Sequence, residues 1–206
     1  MGETGDLSGH ILTIAMFVFY WALLDSWLRS TLGSGGGKAN GKDVSAPRQT
    51  DIAEPSAAEA LSSRTFREID PDFDAGTFLD GAVKAYETVL RAYAEGNSAI
   101  LRRHVGPDVL EAFECAIAER RQRRETLELT FVGMNTATIV SAAGKASTEE
   151  VAVRFLADVV SVTRLDNDTL AAGDPQKIVQ MADLWTFARK ARSRDPNWRL
   201  VATDSW

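Results

Sequence analysis

In the run Ala182-Asp183-Leu184-Trp185-Thr186-Phe187, a period of two places the Asp183 carboxylate on the same strand face as Trp185 and Phe187. A carboxylate buried among aromatic rings holds its proton to higher pH than an exposed one, and a positioned acid of that kind is what isomerase or dehydratase chemistry requires. Such chemistry also needs partners, and the sequence supplies few. His104 stands close to Gly106-Pro107 at the end of a helical pattern and reads as exposed. The chain has no Gly-rich phosphate loop, no Cys/His metal spacing and no Ser-His-Asp pattern. A buried carboxylate more often meets an arginine or the backbone than a substrate. Asp183, Trp185 and Phe187, together with Trp198, are therefore read as a pocket or partner face, and no catalytic, cofactor or metal site is expected.

The single cysteine, Cys115, lies between Phe113 and Ile117 in an apolar helical pattern and reads as a small buried hydrophobe. Arg120, Arg121, Arg123 and Arg124 form a basic cluster at the end of the same pattern. Two readings of the cluster are open. The simpler is that the cations complement the dipole of their own helix, each contributing ~0.3–1 kcal/mol. The other is a patch for anionic lipid or an acidic partner, each basic residue adding ~1 kcal/mol near an anionic membrane surface.

These side chains must be positioned by a folded domain that begins near Arg64. From Asp74 to Glu95, apolar residues from Phe78 to Tyr93 recur at helical spacing, with Asp72 and Asp74 as capping candidates and Gly96 as a stop. Asn97 can cap a short second helix, and Asp108 a third running from Val109 to about Glu125 with Val109, Leu110, Phe113 and Ile117 buried. After Thr126 the period becomes two. Leu127, Leu129 and Phe131 alternate up to Gly133, a candidate bulge, and the pattern resumes through Ile139. Val151 to Val159 alternate along a second strand, Thr169 to Pro175 reads as a loop, Ile178 to Arg189 as a third strand and Trp198 to Thr203 as a fourth. Residues Ser193 to Asn197 join the last two as a tight turn. Helices followed by an antiparallel meander predict an α+β domain, with helices packed on one face of a strongly curved sheet.

Ahead of that domain lies a different kind of segment. Leu7 to Leu28 form an apolar segment whose strictly uncharged run is Ile11 to Leu24, with Ile11, Phe17 and Leu24 in its body, Tyr20, Trp21 and Trp27 toward one end and Asp25 about a turn from that end. As a helix it would be ~33 Å long, enough to span a bilayer, with its aromatic residues at an interface. A cleaved secretory signal would carry Lys or Arg before the apolar run and a small-residue cleavage pattern after it, and neither is present. Arg29, Lys38, Lys42 and Arg48 all follow the stretch, so the expected orientation puts residues beyond it in the cytoplasm and the N-terminus in the periplasm. Residues 1–29 are thus read as a single-pass inner-membrane anchor. Residues 30–63, rich in Gly, Ser, Ala and Pro, read as a flexible linker with a reach of ~30 Å. Residues 64–206 make up the domain. The 206-residue chain carries net charge −6 and is 45% hydrophobic and 25% charged, which fits a globular domain with a short anchor and argues against general affinity for nucleic acid.

Several stretches are together recognisable: IDPDFDAGTFLDGAVKAYETVLRAYAEGN at 69–97, LELTFVGM at 127–134, and ADLWTFARKARSRDPNWRLVAT at 182–203. With the N-terminal apolar segment they resemble the bacterial Tim44-like (TimA-type) membrane-anchored adaptors, relatives of the mitochondrial inner-membrane import-motor scaffold. The resemblance covers about residues 66–204. It implies a cone-shaped nuclear-transport-factor-two-like fold, with three helices on a curved four-stranded antiparallel sheet. It also implies no catalytic activity and an adaptor role at the inner membrane. The mitochondrial relative tethers a seventy-kilodalton heat-shock chaperone to a protein channel and associates with acidic lipid. This chain has a short anchor and linker where that relative has a long chaperone-binding region.

The functional expectation is a membrane-anchored adaptor, binding membrane-associated proteins or a chaperone, with anionic lipid as a further candidate partner, through the sheet's concave face or the aromatic terminus around Trp198 and Trp206. A membrane-tethered lipid or small-molecule binding domain is the alternative. A well-formed cavity with convergent polar groups would favour the second, and an exposed aromatic surface the first.

Overall fold

The computed structural model describes residues 73–145, 147–191 and 197–205. The anchor (1–29), the linker (30–63), the start of the domain up to Asp72, most of the Ser193–Asn197 turn and Trp206 lie outside the described residues. No helix among the described residues is long and apolar enough to cross a membrane.

Helix α1 spans Ala75–Glu95, and its limits follow from local chemistry. Asp74, in extended conformation, accepts a hydrogen bond from the Thr77 N–H at 2.7 Å, satisfying one of the free donors of the first turn. At the other end Gly96 adopts the left-handed conformation (φ 67°) that closes the helix at little cost for a residue lacking Cβ. Helix α2, Ser98–His104, begins at Asn97, whose side chain accepts from the Ile100 N–H.

Helix α3 spans Pro107–Gln122, starting and stopping earlier than the pattern predicted. Asp108 is not its cap. Gly106 takes that position without a side-chain hydrogen bond, because Pro107 has the fixed φ and the missing N–H that suit the first helical residue. Asp108 sits in the first turn, where its charge favours the helix's positive end. Past Gln122, Arg124 at φ 54° turns the chain into the sheet. The buried face carries Val109, Phe113, Ile117 and Arg120, with Leu110 half-buried. Cys115 is exposed, contrary to expectation, because two residues from either Phe113 or Ile117 is ~200° around the helix and faces water.

The strands are β1 Glu125–Lys145, β2 Thr148–Leu165, β3 Leu170–Gly173, β4 Val179–Lys190 and β5 Arg199–Ser205. All pair antiparallel in the order β1-β2-β4-β5, and β3 pairs with the far end of β2. The sheet thus has five strands instead of four. The extra one comes from the stretch read as a loop, since four residues are too few to show a period. Bulges interrupt β1 at Phe131/Gly133, Met134/Thr136 and Ile139/Ser141, the first of them at the expected glycine. Each adds bend and twist to a strand that runs along the edge of the sheet.

One face of the sheet packs on the helices. Val151, Val153, Phe155, Ala157 and Val159 of β2 are buried, and their alternates are half-buried. Beside them Asp183, Trp185 and Phe187 of β4 point into the same core. Gly106 N–H donates to the Leu200 carbonyl at 2.7 Å and ties the α2–α3 junction to β5.

Two glycines make opposite demands. Gly173 has φ +83°, and a Cβ there would lie 2.1 Å from the Ser161 carbonyl oxygen. Gly81, exposed in the middle of α1, has nothing within 4 Å of the same position. In urea unfolding of the Arg64–Trp206 fragment, Gly173→Ala should lose ~2–4 kcal/mol from strain and clash. Gly81→Ala should gain up to ~1 kcal/mol from helix propensity. Equal effects at the two sites would contradict the β2–β3 pairing.

Candidate functional site

The four residues expected to form a single pocket or partner face divide between two places. Asp183 and Trp185 belong to the interior, whereas Phe187 and Trp198 line an open groove.

In the interior, Tyr86 from the middle of α1 donates its hydroxyl proton to Asp183 Oδ2 of β4 at 2.5 Å, and both residues are buried. Aromatic rings surround the pair. Tyr86 lies 4.5 Å from Trp185 and 4.7 Å from Phe155 between ring centroids, and Phe155 meets Trp185 edge-on at 5.8 Å. Burial pushes the Asp183 carboxyl up to about 6, with the Tyr86 hydrogen bond pulling it partly back. Tyr86 is pushed up by its own burial first and then by the neighbouring carboxylate. Trp185 is 1% exposed, and its indole N–H has no acceptor among the described residues. The Asp183 carboxyl is 2% exposed and its Oδ2 accepts the Tyr86 hydroxyl proton. It gives the buried hydroxyl of α1 its partner on the sheet.

The groove has a volume of about 530 Å³ and runs beside the first four turns of α1. One wall is aromatic: Phe73, Phe78, Phe187 and Trp198, in tilted and edge-to-face contacts with centroids 5.0–6.1 Å apart. The opposite wall is the α1 stripe Thr77, Gly81, Ala85 and Thr88, small residues one turn apart that leave a trough along the helix. At the rim, the Arg189 guanidinium stacks 4.6 Å over the Trp198 ring while its Nε donates to Glu149 Oε2 at 2.5 Å. Lys84 and His104 complete the rim. Burial first, and the neighbouring Arg103 second, hold the His104 pKa below its usual value, so the ring is neutral at pH 7.

The arginine cluster does not act as one patch. Arg120 is 9% exposed, its Nη2 donates to the Tyr93 and Ala94 carbonyls at 2.8 and 3.0 Å, and its guanidinium lies 5.1 Å from the Tyr93 ring centre. Arg121 donates to the Gly96 carbonyl. Both therefore serve the carboxyl end of α1, which has no basic residue of its own in its last turn, instead of only the dipole of α3. Arg123 pairs with Glu125, and Arg124 lies 3.9 Å from Asp166. Among the described residues no cluster of three or more His, Cys, Asp or Glu side chains could hold a metal.

The interior pair was missed as a pair because its members stand 97 positions apart. A signal was nevertheless present. Tyr86 falls on the apolar face of its helix and Asp183 on the apolar face of its strand, and two polar groups on faces that meet must satisfy one another. The groove's small-residue wall was missed because Thr77, Gly81, Ala85 and Thr88 carry no apolar period.

Comparison with known proteins gives three results. Residues 58–205 match the family model of the Tim44-like domain. No curated protein matches the chain in sequence. Among solved structures, the intermembrane space region of the chloroplast protein ARC6 is similar over 66% of this chain and 98% of its own, at 12% identity and a TM-score of 0.44.

The raised acid gives a pH test with a definite sign. The fold binds the Asp183 proton more tightly than the unfolded chain does, so this group's contribution is complete below about pH 4 and is lost as pH rises through about 6. Asp183→Asn cannot ionise. Its stability relative to the original protein should therefore increase by on the order of 3 kcal/mol between pH 4 and pH 8, read from urea unfolding at stepped pH. A difference independent of pH would show that Asp183 ionises as an exposed carboxyl does.

Proposed function

The chain belongs to the Tim44-like domain family, and from that premise and the groove beside α1 we propose that it is a membrane-anchored adaptor without catalytic chemistry. The observation that carries the reading is the open aromatic groove, whose described lining does not include the buried acid Asp183. A substrate site needs an acid or base that reaches the reacting atoms. Here Asp183 is committed to Tyr86 inside the core, and among the described residues of the groove lining the only acid that accompanies His104 is Asp74, which caps α1. What remains in the groove is an apolar surface with a polar rim, the composition of a protein-recognition surface.

Residues 1–29 supply the anchor in this reading, and 30–63 the leash. The basic residues that follow the apolar segment favour a cytoplasmic domain at the inner membrane, and a leash reaching ~30 Å raises the effective concentration of membrane partners. Protein translocation, assembly of membrane complexes and chaperone recruitment are the roles that suit a domain so placed.

Topology and tethering are tested together. In a Cys115→Ser background, needed because Cys115 is exposed, single cysteines at Gly5 and Gly36 should be labelled from opposite sides of the membrane, Gly36 from the cytoplasm. Replacing residues 34–63 by a Gly/Ser sequence of equal length should leave the set of co-purifying membrane proteins unchanged, since reach depends on length more than identity. Labelling of both cysteines from the periplasmic side, or loss of co-purification on linker replacement, would contradict the proposal.

A further inference from the structure

The groove has a shape that selects among partners. Its helical wall, Thr77-Gly81-Ala85-Thr88, extends over twelve residues of α1, eleven rises or ~16 Å at 1.5 Å per residue. A fully extended chain covers that distance in about five residues. The trough is open, and no described atom lies within 4 Å of a Cβ at Gly81. A volume of about 530 Å³ lies within the ~300–1,000 Å³ of ordinary ligand sites, with space for two large side chains.

Charge narrows the choice further. The whole chain is acidic, at net charge −6, yet the groove rim is not. Lys84 is exposed and has no ion-pair partner among the described residues, and Arg189 is held over Trp198 by the ring and by Glu149. Among the described residues of the lining Asp74 is the only carboxylate, and it accepts from the Thr77 N–H at the start of α1.

Resting on the adaptor reading, we infer that this groove takes an extended acidic segment of a partner protein, about five residues long. Two bulky apolar side chains, alternate along the segment, fill the trough against Phe78 and Trp198. The acidic side chains between them face outward to Lys84 and Arg189.

Gly81 makes the inference testable without unfolding the protein. A Cβ there meets no described atom within 4 Å, Gly81 lines the trough, and leucine is a better helix former than glycine. The full chain in phosphatidylcholine nanodiscs is titrated with two fluorescent peptides, Asp-Phe-Asp-Leu-Asp and Lys-Phe-Lys-Leu-Lys. The acidic peptide should bind saturably and at least about tenfold tighter than the basic one, with affinity falling as salt is added. Gly81→Leu should weaken it by at least about tenfold while the melting temperature holds or rises, and Lys84→Glu by about fivefold.

Equal binding of both peptides, no saturable binding of the acidic one below about 1 mM, or unchanged binding in Gly81→Leu would overturn the inference. Phosphatidylglycerol vesicles that bind in a Gly81→Leu-sensitive way while the acidic peptide does not would overturn it in favour of lipid. Self-association abolished by Gly81→Leu would overturn it in favour of a second copy of the chain. If the peptide fails but membrane proteins still co-purify with Gly81→Leu, only this inference falls. If co-purification fails for the original chain, the adaptor reading falls first.

Discussion

The hydrogen bond from Tyr86 to Asp183 fixes α1 across the sheet, and the rest of the domain is arranged around it. A tyrosine hydroxyl and a carboxylate buried without partners would each cost several kcal/mol, so neither surface can form its core without the other. The demand is mutual: the helix can sit on β4 at one rotation and one height, with the ring of Tyr86 against Trp185 and Phe155. The carboxyl end of the same helix is held by Arg120 and Arg121 reaching across from α3 to its free carbonyls. The helix is thus secured at its middle and its end by polar contacts that packing alone would not position.

At its amino end α1 is held differently. Phe78 packs on Phe187 and Trp198, but the neighbouring face of the helix is built from Thr77, Gly81, Ala85 and Thr88. Small side chains on a helix whose position is already fixed cannot let it settle closer to the sheet, and the gap remains as the groove. An interior acid bound to Tyr86 and a gap with an aromatic wall are two outcomes of one arrangement. The first accounts for stability that varies with pH, and the second for a surface able to receive a partner.

Much of this was legible in sequence where the cause was local. Asp74 and Gly96 marked both ends of α1, Asn97 opened α2, and the alternation in β2 and β4 placed Val151 to Val159 and Asp183 to Phe187 on buried faces. Features fixed by a distant neighbour were not legible. Leu170 to Gly173 become a strand only because β2 is long enough to pair with them. Cys115 follows apolar neighbours in sequence but faces away from them in space. The arginines near the end of α3 look like caps for their own helix, yet two of them serve a helix that ended twenty-odd residues earlier. Phe187 and Trp198 were identified without the glycine and threonines that make a groove of them.

The central claim is that the trough beside Gly81 is where the protein meets its partner. Photo-crosslinking within intact membranes tests it most directly, with benzoylphenylalanine placed at Gly81 or, on the exposed face of α3, at Cys115. The account predicts a discrete protein adduct from Gly81 that is absent from Cys115. Adducts of equal yield and identity at both positions, or lipid adducts alone at Gly81, would contradict it.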